Sequence, residues 1–264
     1  MNKVIRAEFG RTINAGLIIA IAGIIFSICF DSFNDLIAGL RNGQEYVGYF
    51  FSNAAFGGMC THYMLPVFTA LPFSVSLCQE RNNKAVSYIV SREGKNRYIF
   101  AKFIVSAISG GFVAACGTVL LFLMLAMRFP IAGDEFEGAV VSDYFHEWSA
   151  VYYPQLYILT LSILAFCRGV IWSSLALCVS LYTSDFMVVL LSPFLGSYVL
   201  VRIFQIIRVP DMVRPDMILI GQVVIKSSGL TLLIAIAISL TIVTLIGAFF
   251  VGKMKEGLKS GTIY

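Results

Sequence analysis

The chain has 264 residues, 58% of them hydrophobic and only 13% charged, with a mean hydropathy of +0.85 and a formal net charge of +4. Water-soluble domains carry about 25% charged residues, so this composition excludes an ordinary soluble globular protein. Most of the surface is built to meet lipid.

The elements follow in chain order. VIRAEFGRTI (4–13) places Val4, Ile5, Phe9 and Ile13 near i, i+4, i+8 spacing among Arg6, Glu8 and Arg11. That pattern predicts a helix lying at the membrane surface before the chain turns inward. A helix needs about 20 apolar residues to cross a bilayer core, and INAGLIIAIAGIIFSICF (13–30) is the first such run. Lys3, Arg6 and Arg11 could head a signal peptide, but Ser27-Ile28-Cys29-Phe30 is no small-x-small cleavage site, so the run reads as a retained span. The second run is 60–79, with Pro66 and Pro72 inside it, and the third is 103–127. A longer apolar region, 152–207, is interrupted at Thr183-Ser184-Asp185 and divides into spans 153–182 and 186–207. The last span is 229–252. Continuous runs of this kind are unlike the short alternating strands of a barrel. The predicted fold is therefore an all-α integral membrane protein with six transmembrane helices in one domain over 1–264.

Between the fifth and sixth spans, IIRVPDMVRPDMILIGQVVIKSS (206–228) carries Pro210 and Pro215, which forbid one regular helix. MILIGQVVI within it is too apolar for a wholly solvated loop. A short re-entrant or interfacial segment resolves the conflict. Pro66, Pro72 and Pro193 free backbone groups in the second and fifth spans, where they either shape a pathway or are ordinary membrane-helix prolines. Gly110-xxx-Ala114 and Gly111-xxx-Ala115 offer a close-packing face on the third span.

Lys and Arg collect in cytoplasmic loops. With six spans the two termini share a side, and that side holds twelve basic residues: Lys3, Arg6, Arg11, six within 81–102, and Lys253, Lys255 and Lys259. The opposite loops hold five, namely Arg41, Arg128, Arg208, Arg214 and Lys226, and segment 133–148 holds five acids with no Lys or Arg. Both termini and the 78–102 connection are thus expected in the cytoplasm of a cell expressing the chain in its plasma membrane.

Chemistry-bearing clusters are few. The six cysteines (29, 60, 78, 116, 167, 178) lie in or beside apolar runs without CxxC pairing, and read as small packing residues. His62 and His146 fall in different outer regions. No paired carboxylates, HExxH or Ser/His pair occurs within the spans, so no catalytic role, metal or cofactor is expected of this chain. Arg168, mid-way along the fourth span in LAFCRGVIWSS, must face protein or water, because an unpaired Arg in lipid costs about 2.5–3.5 kcal/mol or more. It is a candidate cavity residue for an anionic or peptide substrate, or a structural Arg bonded to carbonyls or a neighbouring helix. Arg202 lies nearer an interface and can snorkel.

The connection CQERNNKAVSYIVSREGKNRYIFAK (78–102) holds six of the nineteen Lys and Arg. Positive-inside topology alone requires charge but no order. Nucleic-acid binding would use its Lys and Arg on phosphates with Tyr88 or Tyr98 stacking on bases. Glu93-Gly94-Lys95 lacks the remainder of a phosphate-binding loop. The order itself says more: Glu80 and Arg81, then Lys84, then Val86, Ile89 and Val90 on one face of a short helix, then Ser91-Arg92, a break at Glu93-Gly94, and Lys95, Arg97 and Lys102 leading into the next span. A short amphipathic helix between two spans suits docking of a soluble partner.

This order resembles the stretch between the second and third spans of type-2 ATP-binding-cassette (ABC) exporter permeases, where it forms the coupling helix that contacts the ATPase. The N-terminal surface helix is similar to that family's connecting helix. GVIWSSLALCVSLYTSDFMVVLLSPFLGSY (169–198) is similar to its fourth span, tight turn and fifth span, and the apolar segment before span six to its re-entrant hairpin. Family members often carry Gly where this chain has Lys84-Ala85. The resemblance implies a permease subunit paired with a second permease, identical or paralogous, and with an ABC ATPase dimer that holds the ATP and Mg. Glu80, Arg81, Lys84, Val86, Ile89, Ser91, Arg92 and Lys95 would form the ATPase-coupling interface. Membrane lipid, and no nucleic acid, would be the other partner. The exported substrate would be a peptide, lipid-like compound or drug. The alternative is an ATP-independent polytopic protein such as a sensor or immunity protein.

Overall fold

The computed structural model describes residues 2–42, 47, 58–130, 154–223 and 225–260. Among them are eleven α-helices and one 3-10 turn. The acidic segment 133–148, with His146, lies outside the described residues.

Helix α1 (Asn2–Thr12) and α2 (Ala15–Asp31) meet at a 56° bend. Asn14 makes the bend: its backbone is extended, its side-chain oxygen accepts from the Leu17 amide, and its side-chain amide donates to the carbonyls of Arg11 and Pro72. An Asn at this N-cap satisfies one of the free amides that open a helix. The inward stripe of α1 is not the expected apolar one. Val4, Glu8 and Thr12 are buried, while Ile13 stands 79% exposed. Glu8 turns inward because basic groups wait for it there, as shown below.

After α3 (Phe33–Asn42), the apolar run 60–79 forms two helices instead of one. These are α4 (Met59–Ala70) and α5 (Ser76–Asn82), separated by a turn at 71–75. Pro72 explains the break, since it has no amide to donate and its ring collides with the carbonyl four residues back. The freed segment is tied down by Ser74, whose hydroxyl donates to the Ser173 carbonyl at 3.0 Å and lies against the hydroxyls of Ser106 and Ser173. Helix α6 (Val86–Glu93) is followed, across Gly94, by α7 (Lys95–Ala126). Then come α8 (Pro154–Val179), α9 (Phe186–Ile207), a 3-10 turn (Asp211–Val213), α10 (Pro215–Ile220) and α11 (Ser228–Ser260).

Helices α7, α8, α9 and α11 are each long and apolar enough to cross a membrane, and the bent pair α1–α2 makes a fifth candidate. The chain is thus a multi-pass helical membrane protein. Helix α4 alone, at about 18 Å, is too short to span a core of about 30 Å.

The centre of the fold is the crossing of α7 and α8 at Gly110 and Gly169. A Cβ on Gly169 would sit 2.5 Å from the Gly110 carbonyl oxygen, and one on Gly110 would sit 2.2 Å from Ser173 Cβ. Small residues permit this approach, which is how helices gain contact where lipid removes the hydrophobic drive between them. Helices α2, α4 and α11 pack around this pair, and α9 rests on α4 and α8. Large apolar side chains on α9 and α11, such as Leu195, Ile203, Leu233 and Leu245, remain exposed. Helices α1, α5 and α6 lie at one end with the last turns of α8 and α11. Charged groups bind these parts together, so this is termed the basic end.

Candidate coupling segment and cavity

At the basic end four charges from three helices meet. Glu80 on α5 accepts from Lys102 Nζ at 2.7 Å, from Arg11 Nη1 and from the Tyr98 hydroxyl. Lys102 also donates to Ser76 Oγ at 3.1 Å and lies 3.1 Å from Glu8 Oε2, an ion pair without hydrogen-bond alignment. Arg11 closes the ring to Glu8 at 3.3 Å. Two acids and two bases make the cluster neutral. Lys102 is completely buried, with Nζ 4.7 Å from the Phe73 ring centre. A Lys so placed keeps its charge only through partners, and here both carboxylates supply it. The cluster locks α1 and α5 to the first turns of α7.

Arg81 and Asn82 hold the neighbouring turn. Arg81 Nη1 donates to the carbonyls of Ser180 and Leu181, the free acceptors at the end of α8, and Asn82 donates to the Ser184 carbonyl. Helix α5 then ends in a paired closure: the Lys84 amide bonds to Arg81 O and the Ala85 amide to Glu80 O. That closure puts Lys84 in the left-handed region, with φ of +52°. Gly normally fills this position.

The eight residues expected at an ATPase interface divide into three groups by exposure. Glu80 faces inward, at 7% exposure. Val86 and Ile89 are also buried, in a cluster with Leu77, Tyr98, Leu177 and Met254. The apolar face of α6 is therefore occupied by this chain's own helices and is not open to a partner's groove. Lys84, Ser91 and Arg92 are exposed, with Ser87 and Tyr88 beside them. Arg81 and Lys95 are half-buried, and Lys95 Nζ donates to the Lys255 carbonyl at 2.9 Å, joining α7 to the end of α11. Sequence reasoning missed Arg11, Tyr98 and Lys102 as partners of Glu80, and Glu8 as the second acid of the cluster. The local hint, Glu8 and Arg11 three apart, does not reveal a contact made across the chain.

The second site lies deeper. A cavity of about 170 Å³ is bounded by α4, α8, α9, α10 and α11, with His62, Arg168, Trp172, Val201, Asp216 and Ile246 among its walls. Arg168 is 7% exposed and makes no hydrogen bond or ion pair to any described residue. Of the two alternatives open for it, a bond to a carbonyl or neighbouring helix is not seen among the described residues. Asp216, the acid whose charge reaches Arg168, is already engaged: Arg214 Nη2 donates to it at 2.7 Å. That hydrogen bond is the main cause raising the Arg214 pKa above its ordinary value. A polar mouth of about 190 Å³ adjoins, sharing His62, Val201, Asp216 and Ile220 with the cavity and adding Tyr63, Gln205, Arg214 and Gln222. Arg202 instead stays outside, bonded to Tyr198 and Gln205. Among the described residues no group of His, Cys, Asp and Glu could hold a metal ion.

Comparisons with known protein families, with curated proteins and with solved structures found no match.

Proposed function

We propose that the chain is the membrane-spanning permease subunit of an ABC exporter, working beside a second permease and a separate ATPase dimer that binds ATP and Mg. In this reading six apolar segments cross the plasma membrane. They are α2, the broken pair α4–α5, α7, α8, α9 and α11, with both termini cytoplasmic. Support for the orientation comes from the crowding of basic residues at the end that holds α1, α6 and the last turn of α11.

One observation carries the proposal. Helix α6 exposes Ser87, Tyr88, Ser91 and Arg92 on one face, with Lys84 exposed in the turn just before it, while its other face is packed by Val86 and Ile89 onto α7, α8 and α11. A push on the exposed face has nowhere to go except into three long helices. The charge cluster and the Lys95–Lys255 bond would pass the same motion to α1 and α11. The transported compound would be a peptide, lipid-like molecule or drug, suited to an apolar cavity.

A photo-reactive amino acid at Tyr88, activated in native membranes, tests this. The cross-linked partner should contain a nucleotide-binding cassette by mass spectrometry, and Arg92→Glu should abolish the product while leaving the chain folded. Cross-links only to lipid or to proteins without a cassette would refute the coupling role and favour an ATP-independent sensor or immunity protein.

A further inference from the structure

Arg168 is a buried guanidinium with no bonded partner among the described residues. It sits about 21 Å along α8, a helix about 39 Å long, so neither end of the bundle is within easy reach of its side chain. The neighbouring acid is committed elsewhere: Asp216 takes hydrogen bonds from Arg214 through both carboxylate oxygens, at 3.3 and 2.7 Å. His62 brings no negative charge. Arg214 is also paired with Asp211 at 3.2 Å, so the two Asp and two Arg side chains balance overall, yet among the described residues no acid is bonded to Arg168 itself.

A second orphan stands beside it. Arg168 and Thr61 both line a small chamber of about 20 Å³, otherwise walled by residues such as Ile28, Leu65 and Leu161. Thr61 is 2% exposed, and its hydroxyl has no hydrogen-bond partner among the described residues. Its backbone amide is satisfied by Asp31, so the unmet need belongs to the side chain alone. This chamber and the 170 Å³ cavity share Arg168, Leu219 and Ile220. A guanidinium and a hydroxyl thus mark a narrow polar end, and a larger apolar space opens next to it. A buried cavity of about 150 Å³ holds a benzene-sized group, so the apolar space takes a ring or short alkyl segment. The walls on either side, α9 and α11, both rest on α8 and expose apolar side chains outward, so a longer tail can leave toward lipid.

We propose that this is a binding site for an amphiphile with a single anionic head, a carboxylate or phosphodiester, held by Arg168 with Thr61 donating to the same head and the apolar tail filling the cavity. Arg matches such a head with paired hydrogen bonds. A neutral amphiphile would leave the guanidinium without an ionic partner. The site uses the chain's own helices only, so it stands independently of the ATPase partnership.

Trp172 lines the cavity and is one of two tryptophans. In a Trp148→Phe background its fluorescence reports the site alone. Purified protein in detergent would be titrated with a brominated fatty acid, whose bromine quenches nearby tryptophan, and with the matching brominated fatty alcohol. The acid should quench saturably, and the alcohol at least roughly tenfold more weakly, as loss of a charge-assisted bond requires. Arg168→Gln should erase that preference and Arg168→Lys should keep much of it. A parallel titration in lipid discs with brominated phosphatidylglycerol separates the sources. Saturable quenching by the phospholipid but not the free acid assigns the head to a bilayer lipid, and the reverse assigns it to a free amphiphile. Equal affinity for acid and alcohol in the unaltered protein, or no saturable quenching by either anion, overturns the proposal without relying on any variant.

Discussion

Lys102 Nζ lies 2.7 Å from Glu80 Oε1, with the Lys side chain wholly buried and the Glu side chain nearly so. The two residues are 22 apart in sequence and sit on α7 and α5, on either side of the exposed helix α6. A sealed pair flanking an exposed helix makes that helix a rigid extension of the bundle, not a loose loop.

Removing one member of this pair should therefore be costly. Lys102→Met leaves Glu80 and Glu8 facing each other with only Arg11 between them, and breaking a buried pair from one side typically costs about 3–5 kcal/mol. Glu80→Gln leaves Lys102 with Glu8 alone. The double variant Glu80→Gln/Lys102→Met restores neutrality, so its loss should be smaller than the sum of the single losses. Thermal denaturation in detergent, followed by size-exclusion profile, reads all three. Strictly additive losses would mean that the two charges do not interact.

The α7–α8 crossing gives a sharper steric case. A Cβ at Gly169 would stand 2.5 Å from the Gly110 carbonyl oxygen, and backbone cannot swing aside as a side chain can. Gly169→Ala should cost about 1–3 kcal/mol through overpacking. Gly252, on α11, has nothing among the described residues within 4 Å of its Cβ position, so Gly252→Ala should be neutral or gain up to about 1 kcal/mol from helix propensity. The difference between the two alanine variants, measured in one melting assay, isolates the crossing from the intrinsic cost of glycine in a helix. Equal melting temperatures would contradict the close approach.

Apolar length made most of the long helices legible. The runs at 103–127 and 186–207 become α7 and α9 because a charge-free stretch of that length has no other low-energy arrangement in lipid. The run at 60–79 was misread as one helix, since Pro in a membrane helix can either kink it or break it. Here the break is decided by Ser74 reaching Ser106 and Ser173, contacts made across 32 and 99 positions. Glu80 was misjudged for a similar reason. A Glu beside an Arg at the head of a basic loop reads as part of a docking surface until Lys102, Arg11 and Tyr98 are found converging on it. Arg168 stands out as an anomaly in the sequence, because a charge inside an apolar helix is visible in one dimension. Its companions Thr61 and Asp216 do not, as neither is unusual in its own segment.

Lys84 holds a left-handed backbone that favours Gly, and its side chain is exposed. Lys84→Gly should therefore keep both closing hydrogen bonds of α5 and raise stability by several tenths to about 1 kcal/mol, while a β-branched Lys84→Val should lower it by about 1–3 kcal/mol. Urea or thermal unfolding of the two variants beside the parent checks the sign. A Gly variant less stable than the parent would show that the Lys side chain contributes more than its backbone costs.

Arg81 supplies the last test, and it separates charge from geometry. Its Nη1 reaches two carbonyls, Ser180 O at 3.0 Å and Leu181 O at 3.3 Å, where α8 ends without further helical donors. The tight turn to α9 depends on this clamp, together with the Asn82 bond to Ser184 O and the Asp185 side chain capping Met187 N. Arg81→Lys keeps the charge but loses the planar fork, so it should loosen the turn nearly as much as Arg81→Ala does. The expected signature is faster amide hydrogen exchange at the α8–α9 junction, with α7 unchanged because its own anchors, Glu80 to Lys102 and Tyr98, are left in place. Full protection in the Lys variant would mean that positive charge alone holds the turn, and that the fork geometry is incidental.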